Sequence, residues 1–134
     1  SNHEVIAVSR GQHEPYTKDS SWQKVQPLHL DRVKDPEFAS KIAAVNADVV
    51  VDLISFTLDD TKKIVAALKN TNLSHYLFCS SIWAHGRAEV LPVDPNTTKK
   101  EPLDTYGKNK FASELFLKRE YRTTGFPATV IMPG

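Results

Sequence analysis

Short apolar runs alternate with amphipathic stretches along most of this chain, and that alternation predicts its elements. Glu4-Val5-Ile6-Ala7-Val8-Ser9 is apolar nearly throughout and stops at Arg10-Gly11, which reads as a short buried strand. The polar stretch from Gln12 to Lys24 reads as loop. Val25 to Leu30 reads as a second strand, interrupted by Pro27. Asp35-Pro36-Glu37 opens a helix, with Asp35 as N-cap, Pro36 at the first helical position and Glu37 in the first turn, and Phe38, Ile42 and Val45 supply its apolar stripe. Ala47 to Ile54 is an unbroken Val/Ile/Leu run, which predicts a strand buried on both faces, as in a parallel sheet.

Further along, Thr57 and Asp60 form a capping-box pattern ahead of a helix whose inward positions are Ile64, Val65 and Leu68. Asp59 and Lys63 stand one turn apart on that helix and can pair. His75 to Cys79 reads as a strand ending at Ser80-Ser81, followed by a long loop from Trp83 to Thr105. Tyr106 to Tyr121 reads as a long helix with Phe111, Leu115 and Phe116 toward the core, and Ala128 to Met132 as a last strand stopped by Pro133-Gly134. Strands alternating with helices at this spacing mean βα units and a parallel sheet with helices on both faces. Ligands of such sheets sit beyond the carboxyl ends of the strands, where Arg10, Asp31, Ser55, Ser81 and Pro133 all fall.

Composition narrows the function classes. At 134 residues the chain is one domain at most. Its 17 basic and 16 acidic residues argue against a nucleic acid or an anionic membrane as the main partner. One cysteine, Cys79, allows no internal disulfide and suits a reducing compartment. No apolar run long enough to span a bilayer and no leader pattern is visible, so a cytoplasmic location is expected. His75 and Cys79 share a strand face but are too far apart to ligate together, so no metal site is expected.

Candidate chemistry centres on Tyr106 and Lys110, which lie four apart on one helix about one βα unit after Ser80-Ser81. A phenol in water ionises near pH 10, so acid–base work near neutrality asks a site for about 4 kcal/mol. An ammonium about 4 Å away supplies that much only where the effective dielectric is near 20, which means a partly closed cleft.

With strand-end serines and a Tyr-x-x-x-Lys helix in place, the chain resembles an extended short-chain dehydrogenase/reductase, within it the NAD-dependent epimerase/dehydratase family. Cys79-Ser80-Ser81-Ile82-Trp83-Ala84-His85-Gly86 is similar to that family's Ser-Ser-x-x-x-Tyr-Gly loop, with His85 in place of the usual Tyr. The Ser81-to-Tyr106 spacing and Pro133 after the last strand are also family-like. The resemblance implies a Rossmann-like, doubly wound, three-layer α/β/α domain. It makes Tyr106 the general acid/base, supported by Lys110, which would also hold the nicotinamide ribose. Ser81 would hydrogen-bond the reacting substrate oxygen, with Ser80 as the alternative hydroxyl, and Pro133 would lie near the nicotinamide. Asp31 resembles an acid that contacts adenine, and equally suits a cap for the loop leading to Asp35. Ser55 and Ser80, by their strand-end positions, count among the cofactor residues, as do Tyr106 and Lys110. The substrate implied is a hydroxylated small molecule such as a nucleotide sugar.

Charge bears on the cofactor. A site for the unphosphorylated ribose offers a carboxylate at the strand end, whereas here Ser9-Arg10-Gly11 offers an arginine suited to a 2′-phosphate. NADP is therefore expected ahead of NAD.

The family's glycine-rich phosphate loop has no counterpart, since the glycines at 11, 86, 107, 125 and 134 lack its spacing. The expectation is thus a partial domain over 1–134, without the first strand, the pyrophosphate cradle or the C-terminal substrate region. Two inward strand edges would then stay open, and pairing with another copy or a missing segment is expected. A different reading also fits some residues: a non-catalytic relative that binds RNA or senses cofactor. Lys99-Lys100, the basic positions from Lys108 to Lys118, and a Gly86–Val93 loop that resembles a plastid RNA-binding branch motivate it, and the near-neutral charge weighs against it.

Overall fold

A computed structural model describes residues 3–88, 90–94 and 99–133, and the chain divides into two units, 1–41 and 42–134. In the first unit β1 (Val5–Ser9) and β2 (Val25–His29) pair in parallel, with Val5 opposite Val25 and Ser9 opposite His29. Pro27 sits inside β2 opposite Ala7. It is tolerated because, among the described residues, β2 is paired along one edge only and so leaves a side where no amide is required. The stretch expected to be loop contains a 3-10 turn, Ser20–Lys24, whose cap Asp19 accepts from the Ser21 amide at 2.8 Å.

Helix α1 (Phe38–Ala44) follows. Asp35 closes the turn just before it rather than capping a helix that begins at Pro36: Oδ1 accepts from the Glu37 amide at 2.9 Å and its carbonyl accepts from the Phe38 amide at 3.1 Å. Phe38 and Ile42 are buried, as the stripe predicts.

The second unit holds three parallel strands in the order β3-β4-β5: β3 (Val49–Asp52), β4 (His75–Cys79) and β5 (Ala128–Ile131). Helix α2 (Leu58–Leu68) connects β3 to β4, and α3 (Thr105–Thr124) leads into β5. This is the Rossmann-like α/β pattern. Among the described residues β1 and β3 each keep one edge without a strand partner.

Local chemistry fixes the helices. Thr57 and Asp60 close the capping box on α2, and Asp59 pairs with Lys63 at 2.7 Å. Asp104 caps α3 by accepting from the Gly107 amide at 2.7 Å, and Gly125 ends it in the left-handed region at φ 73°. The capping of α3 extends it by a residue at its start and three at its end beyond the periodic stretch.

Two expectations about burial need correction. Val49 and Val51 are about half exposed, at 50% and 54%, so the apolar run of β3 is not covered on both faces. Alternation assigns the covered face to Asp52, Tyr76 and Phe78. Helix α3 is rotated from the expected phase: Leu115 is exposed, and Gly107, Lys110, Ser113, Leu117 and Glu120 are buried. The inward face of this helix is polar because it satisfies polar groups of its neighbours. Thr61 of α2, for example, donates to Ser113 at 2.9 Å and is within 2.9 Å of the Ser55 hydroxyl.

Candidate functional site

The site of the second unit forms where β3 and β4 end beneath the first turns of α3. A strand that stops leaves its last carbonyls without ladder partners. Lys110 supplies them: its ammonium donates to the Ser55 carbonyl at 2.8 Å and to the Cys79 carbonyl at 2.7 Å. It is 1% exposed, and three rings surround its charge, Phe78 at 4.9 Å, Phe56 at 5.3 Å and Tyr106 at 5.7 Å. Carbonyl dipoles and ring faces together offset the desolvation of a buried cation. One turn earlier Tyr106 stands at the mouth, 38% exposed, with its ring 6.2 Å from that of Phe56.

The two serines diverge. Ser81 follows β4, is half-buried, and caps the short 3-10 turn Ile82–Ala84 by accepting from the Trp83 amide at 3.3 Å. Accepting leaves the O–H of a serine as a separate donor. Ser80 is 2% exposed, and its hydroxyl donates to Glu114. Ser55 is fully buried, with its hydroxyl on Thr61, and enters the site through its carbonyl. Pro133, exposed, lies two residues beyond Ile131, whose carbonyl accepts from the Ser80 amide at 2.8 Å.

Arg10 and Asp31 belong to the first unit. Arg10 is exposed just past β1. Asp31 accepts from the amides of Val33 at 2.9 Å and Lys34 at 3.1 Å, so it caps its own loop. These bonds hold its carboxyl below the ordinary 3.8, the Lys34 amide first and Val33 next, with the Lys34 and Arg10 charges adding.

Sequence reasoning missed several residues that shape this site. Phe56, half exposed, walls Tyr106 and Lys110 and gave no periodic signal. Asn109, between them on α3, accepts from the Leu58 amide at 3.0 Å and donates to the Thr105 carbonyl at 2.9 Å, which ties the start of α2 to α3. Gly107 lets the Trp83 carbonyl approach the helix: a Cβ there would sit 2.3 Å from that oxygen. A glycine inside a helix was its one visible signal. Glu114 continues the i,i+4 series from Tyr106 and Lys110, and that series extended by one step finds it.

His85 is 6% exposed. Burial first, and then the Lys100 charge, hold its imidazole below the ordinary 6.5, with Glu114 opposing in part. The unfolded chain therefore takes up this proton at a higher pH than the folded protein. His85 costs no stability above the unfolded value, and stability is lost as pH falls from about 6.5 through the lower folded value. Thermal melts from neutrality down to about pH 5 should show this decline, and His85→Gln should flatten it. Equal slopes in the two proteins would show that the imidazole is not the group responsible. The carboxyl of Asp31 titrates in a separate, more acidic window.

Parallel strands with a tyrosine–lysine helix over their carboxyl ends make up a Rossmann-like α/β arrangement. No family model and no curated protein matches the chain. Solved structures do. UDP-glucose 4-epimerase from Brucella ovis in complex with NAD matches with a TM-score of 0.78 at 13% identity, over 98% of this chain and 44% of that one. UDP-N-acetylglucosamine 4-epimerase from Methanobrevibacter ruminantium M1, in complex with UDP-N-acetylmuramic acid, gives 0.75 at 19%, over 95% and 46%. UDP-glucuronic acid 4-epimerase from Bacillus cereus in complex with NAD gives 0.69 at 16%, over 95% and 47%. The fold is thus the one seen in NAD-dependent epimerases, and the chain spans less than half the length of each. Among the described residues no helix is long and apolar enough to cross a membrane.

Proposed function

We propose that this chain is part of a nicotinamide-dependent enzyme of the epimerase/dehydratase kind, acting on a hydroxylated small molecule such as a nucleotide sugar. The observation that carries the reading is Lys110, buried across the ends of β3 and β4 with its charge beside the partly exposed ring of Tyr106. A buried lysine held by two carbonyls is a costly arrangement, and it brings a fixed cation close to a phenol. The chemistry of these donors suits the nicotinamide and ribose end of a dinucleotide, whereas the chain has no glycine-spaced pyrophosphate loop.

When bound, the nicotinamide supplies the hydride acceptor and donor. Tyr106 takes the proton from the substrate hydroxyl on its phenol oxygen and returns it in the reverse step. Lys110 favours the phenolate, the form in which Tyr106 can accept that proton. Ser81 hydrogen-bonds the substrate oxygen as it changes from hydroxyl to carbonyl, and Phe56 excludes water from one side of the tyrosine. Ser80, turned onto Glu114, supports the turn from behind. Pro133 bounds the site at the end of β5. These roles serve epimerisation, dehydration and reduction alike.

Within the first unit, the exposed Arg10 in Ser9-Arg10-Gly11, a strand end that itself carries no acid, supports NADP ahead of NAD. The carboxylate of Asp31 is already engaged by its own loop amides. Calorimetric titration of the full-length protein with each cofactor tests both points. The expected result is binding of both with preference for NADP, and reversal of that preference in Arg10→Glu. An unchanged preference would overturn the role of Arg10. No affinity for either cofactor would overturn the oxidoreductase reading itself.

A further inference from the structure

Behind the two serines lies a buried polar cluster that takes no direct part in the proposed proton and hydride transfer. Glu114, on the inward side of α3, accepts the Ser80 hydroxyl on Oε1 and pairs with Lys100 through Oε2. Both side chains are withdrawn from solvent, Glu114 at 11% and Lys100 at 16% exposure. The ammonium of Lys100 also lies 5.8 Å from the centre of the Phe111 ring. The His85 imidazole is buried within reach of the charges of this pair, and among the described residues its Nδ1 has no hydrogen-bond partner.

The cluster joins three pieces of backbone. Ser80 is fixed twice, by its amide on the Ile131 carbonyl of β5 at 2.8 Å and by its hydroxyl on α3. Lys100 precedes Glu101, whose amide donates to the His85 carbonyl at 2.8 Å. Gly86, at φ 82°, permits that approach, since a Cβ there would lie 2.0 Å from the Glu101 carbonyl oxygen. The segment around Lys100 is therefore fastened both to the turn that follows Ser81 and to the helix that carries Tyr106. One carboxylate, that of Glu114, holds both Ser80 and Lys100.

From this we infer that Glu114, with Lys100, is a positioning residue: by clamping Ser80 from behind, it sets the direction in which the adjacent Ser81 presents its hydroxyl relative to Tyr106. The inference rests on the proposed role of Ser81. The physical reason is that charge-assisted bonds to a buried carboxylate are short and directional. A carboxylate that loses its cation in such a place becomes an uncompensated buried charge. Ser80 and Ser81 share a peptide unit, so a shift of the Ser80 backbone, once its hydroxyl is released, carries Ser81 with it.

The test uses the full-length protein and follows turnover of a UDP-sugar, with NAD or NADP as the calorimetry selects. Glu114→Gln keeps the size and one acceptor and removes the charge. It should lower kcat by about 10²-fold, the cost of a misplacement near 1 Å, while KM and cofactor affinity stay within about twofold. Ser80→Ala should show the same loss, and the double variant Ser80→Ala/Glu114→Gln should lose no more than either single. Lys100→Arg should restore most of the activity that Lys100→Met loses. An unchanged kcat in Glu114→Gln, or losses that add in the double variant, would overturn the inference.

Amide hydrogen exchange gives a reading that needs no turnover. Faster exchange at Ser81–Ala84 in Glu114→Gln, with the rest of β4 and α3 still protected, supports the clamp. Unchanged exchange there overturns it. A wild-type protein without turnover that still shows this local change would count against the proposed function and leave the clamp standing.

Discussion

Replacing Tyr106 by Phe should lower turnover by about 10³-fold, equivalent to about 4 kcal/mol of transition-state stabilisation. The substitution removes one oxygen and keeps the ring, so the packing against Phe56 at 6.2 Å and the cation contact with Lys110 at 5.7 Å both survive. Cofactor affinity and thermal stability should therefore change little. The measurements are steady-state turnover together with calorimetric titration of the nicotinamide. Turnover within about tenfold of wild type would remove Tyr106 from the chemistry, because general acid–base catalysis is worth at least about 10². Coupled loss of stability and activity would instead make it a packing residue.

The second large effect is expected at Gly107, which touches no substrate in this account. A Cβ at this position would lie 2.3 Å from the Trp83 carbonyl oxygen and 2.9 Å from its carbon. Both are backbone atoms of the turn that Ser81 caps, so no side chain can swing aside to make room. Gly107→Ala gains about 1 kcal/mol of helix propensity. Against that stands overpacking of a close contact, which costs about 3 kcal/mol, so the net outcome is destabilisation of about 2 kcal/mol. Relief by on the order of 1 Å of movement would part the Ser81 turn from the Tyr106 helix, with a loss of about 10² in turnover. Thermal unfolding and kcat of the same preparation check both halves. Gly125→Ala is the control: its φ of 73° makes alanine strained, yet nothing lies within 4 Å, so stability should fall while turnover holds. A Gly107→Ala protein as stable and as active as wild type would show that the turn and helix are not in register-determining contact.

Much of the architecture was legible because local rules and tertiary packing agree. The capping box at Thr57, the Asp59–Lys63 pair, the His75–Cys79 strand and the turn at Asp35 all depend on residues within one turn of each other. Failures came where distant parts of the chain decide. Helix α3 was phased by its aromatic and leucine positions, but its inward face is Lys110, Ser113 and Glu120, since the carbonyls of Ser55 and Cys79 and the hydroxyl of Thr61 must be satisfied there. The Val49/Val51 face of β3 looked buried by composition, and its exposure depends on which elements cover it.

The sequence by itself determined the order of strands and helices, the strand-end placement of Ser55, Ser80 and Ser81, and the i,i+4 placement of Tyr106 and Lys110. These follow from periodicity, capping chemistry and chain spacing, all short-range properties. Only the tertiary structure decided that Lys110 bridges two strand ends, that Ser80 turns inward onto Glu114, and that Gly107 is where helix and turn meet. The physical reason is that a side chain's partner is the nearest group able to satisfy its charge or hydrogen bond. For these residues that group lies tens of positions away along the chain, as with the Ser55 carbonyl, 55 residues from Lys110.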